Sequence, residues 1–315
     1  MLRKNKEEAF KTNKRFSRYD QLPNAVTDGN LIPGCLILEG GGWRGLYTQG
    51  VLDAMMEEDI NIQTVIGVSA GSMSSLSYAS GQIGMSARIN LKYRLDSRYC
   101  GIRSLREEHG MTGFTYFFRE IVPENGFNWN RISPNRRLVA VASNCITGRP
   151  EYFEYGQCNF EKAVAASATV PYVSKPVVIE GVPYLDGGCT ERIPYQWALK
   201  EGYQKIVIVR TRHRGYSKKE NDGNIMNTIF YHAWPNLKKA LDGSSKEYMN
   251  CIRQITLDEA EGKIFVQAPK EPVEVSRFEK DLEKLGRLYE TGYREMKERM
   301  AELKQYLMKG GPDPL

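Results

Sequence analysis

The sequence predicts an α/β fold built on a mostly parallel sheet, and three observations predict it. Four apolar runs have the length and composition of strands: CLIL at 35–38, TVIGV at 64–68, RLVAVA at 137–142 and KIVIV at 205–209. Helix-length segments separate these Val- and Ile-rich runs, as parallel pairing requires. With 315 residues, 41% of them hydrophobic, the chain can bury a large core, as one large domain or two small ones.

The elements follow in order. MLRKNKEEAFKTNKRFSR carries seven basic residues against Glu7 and Glu8, so residues 1–30 read as a solvated, partly helical basic arm. After CLIL, the segment RGLYTQGVLDAMMEEDI places Leu46, Val51, Leu52, Met55 and Met56 on one face of an amphipathic helix; with TVIGV it completes a right-handed βαβ unit. A helix of small residues then carries Ser72, Ser74, Ser75, Ser77 and Ala79. GMTGFTYFFREIV at 110–122 crowds Phe114, Tyr116, Phe117 and Phe118 beside Arg119; they can fill the core under a helix or enter a lipid surface. VAVASNCITGRPEYFEY reads as a hairpin turning at Thr147-Gly148. From Ser276 to Lys309, Phe278, Leu282, Leu285, Tyr289, Tyr293, Met296, Met300, Leu303 and Leu307 recur at steps of three and four. They predict one or two long amphipathic helices, weakened at Gly286 and Gly292. The expected division is the arm at 1–30, a catalytic core at 31–212, and at 213–315 the rest of the catalytic body with a C-terminal helical extension.

Composition narrows the function classes. No run reaches the 18 or so apolar residues of a membrane span, and the first 30 residues lack a secretory signal's apolar core, so a cytoplasmic location is expected, peripheral to the membrane if the arm engages it. The six cysteines show no CxxC pair, which indicates neither a zinc site nor a disulfide framework; no metal and no cofactor is expected. The net charge of +6 is mild and does not mark a nucleic-acid partner.

Ser69 carries the chemistry. In Gly67-Val68-Ser69-Ala70-Gly71 it sits between a strand and a helix, the elbow that exposes a nucleophilic serine, with the helix start adding backbone donors. Such a serine needs donors for an oxyanion and a base. Gly40-Gly41-Gly42 after CLIL can turn N–H groups outward beside Arg44. Gly40, Gly42 and Gly45 also match Gly-x-Gly-x-x-Gly, but a dinucleotide site needs an acid at the end of the second strand; here Glu57, Glu58 and Asp59 precede that strand. For the base, His213 follows a strand, and the order Ser69, Asp186, His213 is that of α/β-hydrolases. Asp186 is the better candidate, because Gly187-Gly188 force a turn that bares its carboxylate.

Taken in order, GGGWRG at 40–45, GVSAG at 67–71 and DGG at 186–188 closely resemble the patatin-like phospholipases, as does ASATVPYVSKPVVIEGVPYLDGG with Ala166, Ser167, Ala168, Pro171 and Pro176. The resemblance covers roughly residues 34–212. It implies a three-layer α/β/α sandwich with added C-terminal helices, and a Ser-Asp dyad without histidine. Ser69 would attack an acyl carbonyl, Asp186 would take the proton, and Gly41 and Gly42 with Arg44 would hold the oxyanion. Glu39 stands where the family often has Asp, and Glu191-Arg192 replaces an Asn-rich stretch, which bears on substrate and rate. The expected function is an acyl-ester hydrolase of phospholipids or lysophospholipids, with peripheral contact to an anionic membrane as a further expected partner. The alternatives are a catalytically idle lipid-binding or regulatory member of the fold, and a histidine-dependent esterase of small soluble esters.

Overall fold

A computed structural model describes residues 15–217 and 224–308. One sheet holds eight strands: β1 (Leu31–Leu38), β2 (Asn61–Val68), β3 (Arg137–Asn144), β4 (Pro150–Glu154), β5 (Val177–Ile179), β6 (Val182–Asp186), β7 (Ile206–Val209) and β8 (Phe265–Gln267). Their order in space is β8-β7-β1-β2-β3-β6-β5, with β4 on β3 outside that path. The first five of that order are parallel, while β4 and β6 run antiparallel to β3, and β5 antiparallel to β6. The four apolar runs are all strands of the parallel part, and the expected hairpin is β3–β4.

The main helices are α1 (Gly45–Met56), α2 (Ala70–Ala79), α3 (Met85–Tyr93), α4 (Phe160–Ser167), α5 (Tyr195–Lys200), α6 (Ile225–Tyr231), α7 (Pro235–Ala260), α8 (Leu282–Glu298) and α9 (Met300–Met308). Alternate residues of the central strands feed two cores, as the period of two demands. Leu36, Leu38, Val65, Leu138 and Val207 face α1, α2, α3, α8 and α9. Cys35, Ile37, Ile66, Val139 and Ile208 face α5 and α7. The result is the three-layer α/β/α sandwich.

Four expectations need correction, three in the helices and one in the basic arm. The helix α1 is not amphipathic: all twelve of its residues are buried, because α8 lies across the face turned away from the sheet. The two helices touch through glycine. A Cβ on Gly50 would stand 2.1 Å from the Tyr289 carbonyl oxygen, and one on Gly292 would stand 2.1 Å from that of Tyr47. Gly292 is thus a packing seat, not a weak point. The C-terminal segment is two helices, within the one or two expected, but Phe278 lies before them, since Asp281 caps α8 by accepting from the N–H groups of Glu283 and Lys284.

The described part of the basic arm is docked instead of solvated. Phe16 is fully buried over Gly286, where a Cβ would meet its ring at 2.2 Å. Tyr19 and Leu22 join the same core, and the Ser17 N–H and hydroxyl both donate to Glu283. Residues 1–14 of the arm lie outside the described residues. Of the aromatics at 114–118, Tyr116, Phe117 and Phe118 are buried, and Phe117 stacks on Tyr99 with ring centroids 5.6 Å apart, so they fill the core and are not presented to a lipid surface. Among the described residues, no helix is long and apolar enough to cross a membrane.

Candidate active site

Ser69 leaves β2 in a strained turn. Its backbone holds φ 57° and ψ −124°, rare for a side-chain-bearing residue. Close packing keeps it there: a Cβ on Gly67 would stand 2.5 Å from the Ser72 nitrogen, and one on Gly71 2.3 Å from the Leu38 carbonyl oxygen. The Ser69 N–H donates to Ser167 Oγ at 2.9 Å. Along α2, Ser72, Ser74, Ser75 and Ser77 return their hydroxyls to carbonyls three or four residues back, which satisfies a buried, serine-rich helix.

Strand register brings Asp186 to the same level. Val68 pairs with Val141 of β3, and Ala142, the next residue, pairs with Asp186 of β6. Ser69 and Asp186 therefore flank β3 at one height. The Ser69 hydroxyl donates to Asp186 Oδ2 at 2.5 Å, and the Gly188 N–H donates to Oδ1 at 2.8 Å. Gly187 lies against the Val141 carbonyl. Burial pushes the Asp186 carboxyl above the usual carboxylate range; the Ser69 hydroxyl, the Gly188 N–H and the charges of Arg277 and Arg192 pull the other way.

Glu39 sets the glycine loop. Its Oε2 accepts the Thr211 N–H at 2.6 Å and its Oε1 accepts the Tyr248 hydroxyl at 2.7 Å, while the Thr211 hydroxyl donates to the Gly40 carbonyl at 2.9 Å. A Cβ on Gly40 would stand 2.9 Å from that of Ser69, so loop and serine are in contact. Gly42 takes φ 57° under the Arg277 backbone, and Gly45 opens α1 beside Ala70. Among the described residues, the N–H groups of Gly40, Gly41 and Gly42 find no protein acceptor, and all three line the cavity shared by Ser69 and Asp186. Arg44 lines it too, only 5% exposed; burial, then the charges of Arg212 and Arg277, lower its pKa to about 10, which keeps it protonated at neutral pH.

The cavity has a volume of about 350 Å³, and Trp43, Leu46, Met73, Tyr99, Met111 and Phe278 give it an apolar wall. His213 is half-buried against Tyr216 and does not line it. The acids a nucleotide reading would need are committed elsewhere: Glu57 and Glu58 pair with Lys297, and Asp59 accepts the Thr27 hydroxyl. Sequence reasoning missed Thr211, Arg212, Tyr248 and Arg277. Thr211 and Arg212 follow a parallel strand, a place where α/β sheets gather ligand residues, so that rule was the available signal. Arg277 sits in an irregular loop and has no local signal.

The family described as Patatin-like phospholipase matches residues 36–199, more than half of the chain, and the chain belongs to it. Residues 234–308 match a second family, a domain of unknown function, DUF6363. The uncharacterized protein YjjU of Escherichia coli K12 is 24% identical over 182 residues, which is 56% of this chain and about half, 51%, of that relative's length. The probable lipid hydrolase 463L of Invertebrate iridescent virus 6 is 26% identical over 252 residues, 70% of this chain and 85% of its own. Among solved structures, VipD from Legionella pneumophila superposes with a TM-score of 0.47 at 12% identity, covering 93% of this chain and 71% of that one.

Proposed function

We propose that the protein is a serine acyl-ester hydrolase acting on phospholipids or lysophospholipids. The observation that carries this reading is the direct contact of Ser69 with Asp186 inside the cavity. In the proposed reaction, Ser69 Oγ bonds to the acyl carbonyl carbon as its proton passes to Asp186 Oδ2. The carbonyl oxygen becomes an oxyanion, which the N–H groups of Gly41 and Gly42 and the Arg44 guanidinium can stabilise. Asp186 returns the proton to the departing alcohol, leaving an acyl-enzyme. Water then adds to the ester while Asp186 takes its proton, and the acid leaves as Ser69 recovers its hydrogen. The apolar wall suits an acyl chain.

The lipid surface enters through α6. Ile225, Met226, Ile229 and Phe230 are exposed there, while Asn227 of the same helix lines the cavity. An apolar face on a helix that also lines the cavity supports peripheral docking on a membrane as the way substrate arrives. Mass-spectrometric detection of fatty acid released from phospholipid or lysophospholipid micelles tests the function. Release by the wild type and none by Ser69→Ala supports it; equal release by both overturns it.

A further inference from the structure

The cavity gathers four arginines from four places in the chain: Arg44 at the start of α1, Arg192 before α5, Arg212 after β7 and Arg277 before α8. Among the described residues, the ion pairs of the structure involve other arginines and lysines, and none of these four. The cavity's acids have other partners: Glu39 holds Thr211 and Tyr248, Asp186 holds Ser69 and Gly188, and Asp242 pairs with Lys238. Aromatic rings brace two of the guanidiniums, Arg212 at 4.4 Å from the Tyr216 centroid and Arg192 at 5.3 Å from that of Tyr248. Arg44 is the deepest, and its buried Nε has no hydrogen-bond partner.

Arg44 is buried, Arg192 and Arg212 are half-buried and Arg277 is exposed, so the cavity runs from a buried cation out to a solvated one; like charges gathered along it favour a ligand that supplies counter-charge. The charges of Arg212 and Arg277 act on Arg44, where Glu39 offsets them in part, and those of Arg277 and Arg192 act on Asp186, so the anion they favour shares the cavity with the reacting ester. Guanidinium forks match phosphate oxygens two at a time. A terminal phosphate offers three unblocked oxygens and up to two charges, whereas a choline cap would press a cation against the arginines. We propose that Arg212 and Arg277, with Arg44 behind them, form a headgroup site for the terminal phosphate monoester of an acyl-ester lipid. This rests on the hydrolase reading above. Both Arg212 and Arg277 lie beyond residues 36–199, and Arg277 falls within the stretch 234–308, so that C-terminal stretch acquires a part in substrate choice.

The test compares 1-acyl-glycerol 3-phosphate, 1-acyl-glycerophosphocholine and monoacylglycerol in the same neutral detergent micelles. The wild type should favour the phosphate-terminated lipid by about tenfold or more in kcat/KM, mainly through KM, and Arg212→Gln and Arg277→Gln should each cut that preference by about tenfold. Arg287→Gln and Arg294→Gln, which remove equal charge from the exposed face of α8, should leave it intact. No preference in the wild type, or the same loss in the α8 variants, overturns the proposal. Calorimetry with Ser69→Ala separates the two readings: binding of the phosphate lipid there, with no ester cleaved by the wild type, keeps the site and sinks the hydrolase. Inorganic phosphate that competes as strongly as the lipid would overturn the headgroup assignment in favour of a free-anion site.

Discussion

Ser69 Oγ and Asp186 Oδ2 stand 2.5 Å apart on either side of β3, the serine held by a strained turn and the carboxylate steadied by the Gly188 N–H. The strain sits on Ser69, just ahead of α2, and the serines within that helix turn their hydroxyls back to carbonyls three or four residues earlier, so under the proposed reading Ser69 is the expected nucleophile. A fluorophosphonate probe should label the wild type and not Ser69→Ala. Persistent labelling of the variant would move the nucleophile elsewhere.

The base should be Asp186. Asp186→Asn leaves the contact with Ser69 but removes the proton acceptor, and kcat should fall about 10²- to 10⁴-fold. His213→Ala, outside the cavity, should stay within about tenfold. The pH profile adds a check on sign. The working form is the carboxylate and burial raises its pKa, so kcat/KM should rise with pH through a midpoint above the usual carboxylate range. A midpoint at or below that range would contradict the assignment.

Thr211 should act through the glycine loop it holds. Thr211→Val keeps the shape and the backbone N–H to Glu39 but loses the hydroxyl to Gly40. The loss of one such bond, worth about 1 kcal/mol, should lower kcat by roughly fivefold with KM little changed. A change confined to KM would place Thr211 in substrate binding instead.

Stability should depend on pH through Asp53. This carboxyl is buried between α1 and α8, accepting from the Gly84 N–H and the Tyr289 hydroxyl, and burial raises its pKa to about 7. The folded state keeps the proton that the unfolded chain releases near pH 4, so the contribution is full below about 4 and is lost as pH rises to about 7. Asp53→Asn, which carries no titrating proton, should gain stability relative to the wild type between pH 5 and 8 in urea titrations. A constant difference across that range would show that Asp53 does not titrate there.

Membrane docking should follow α6. Ile225→Asp and Ile229→Asp alter side chains that are 76% and 59% exposed and lie outside the cavity wall. Both should reduce cosedimentation with phosphatidylglycerol vesicles and turnover of vesicle lipid, leaving hydrolysis of a soluble p-nitrophenyl ester unchanged. Unaltered vesicle binding would remove α6 from the docking surface.

The parallel strands were legible because burial on both faces writes itself as short runs of Val, Ile and Leu, and the stretches around Ser69 and Asp186 were legible because tight turns demand glycine at fixed offsets. What stayed hidden depends on contacts distant in sequence. The apolar face of α1 was readable, but not that α8 would cover its other side. The aromatics at 114–118 look the same in sequence whether they fill a core or face a lipid, and only packing against Tyr99 separates the two. Phe16 reads as part of a basic arm until its ring is found over Gly286. Arg277 had no local pattern at all, because its place beside Arg44 is decided by how a loop crosses Gly42.

The crossing of α1 and α8 bears on how such a chain can be inherited. Gly50 lies within the stretch matched to one family and Gly292 within the stretch matched to the other. Each backbone occupies the room a side chain on the opposite glycine would need. A recombination event that exchanged either stretch would therefore have to deliver a glycine at the matching height, or leave the two helices unable to close. The pair works as a compatibility lock between the two stretches: neither helix can exchange its glycine for a larger residue without displacing the other's backbone.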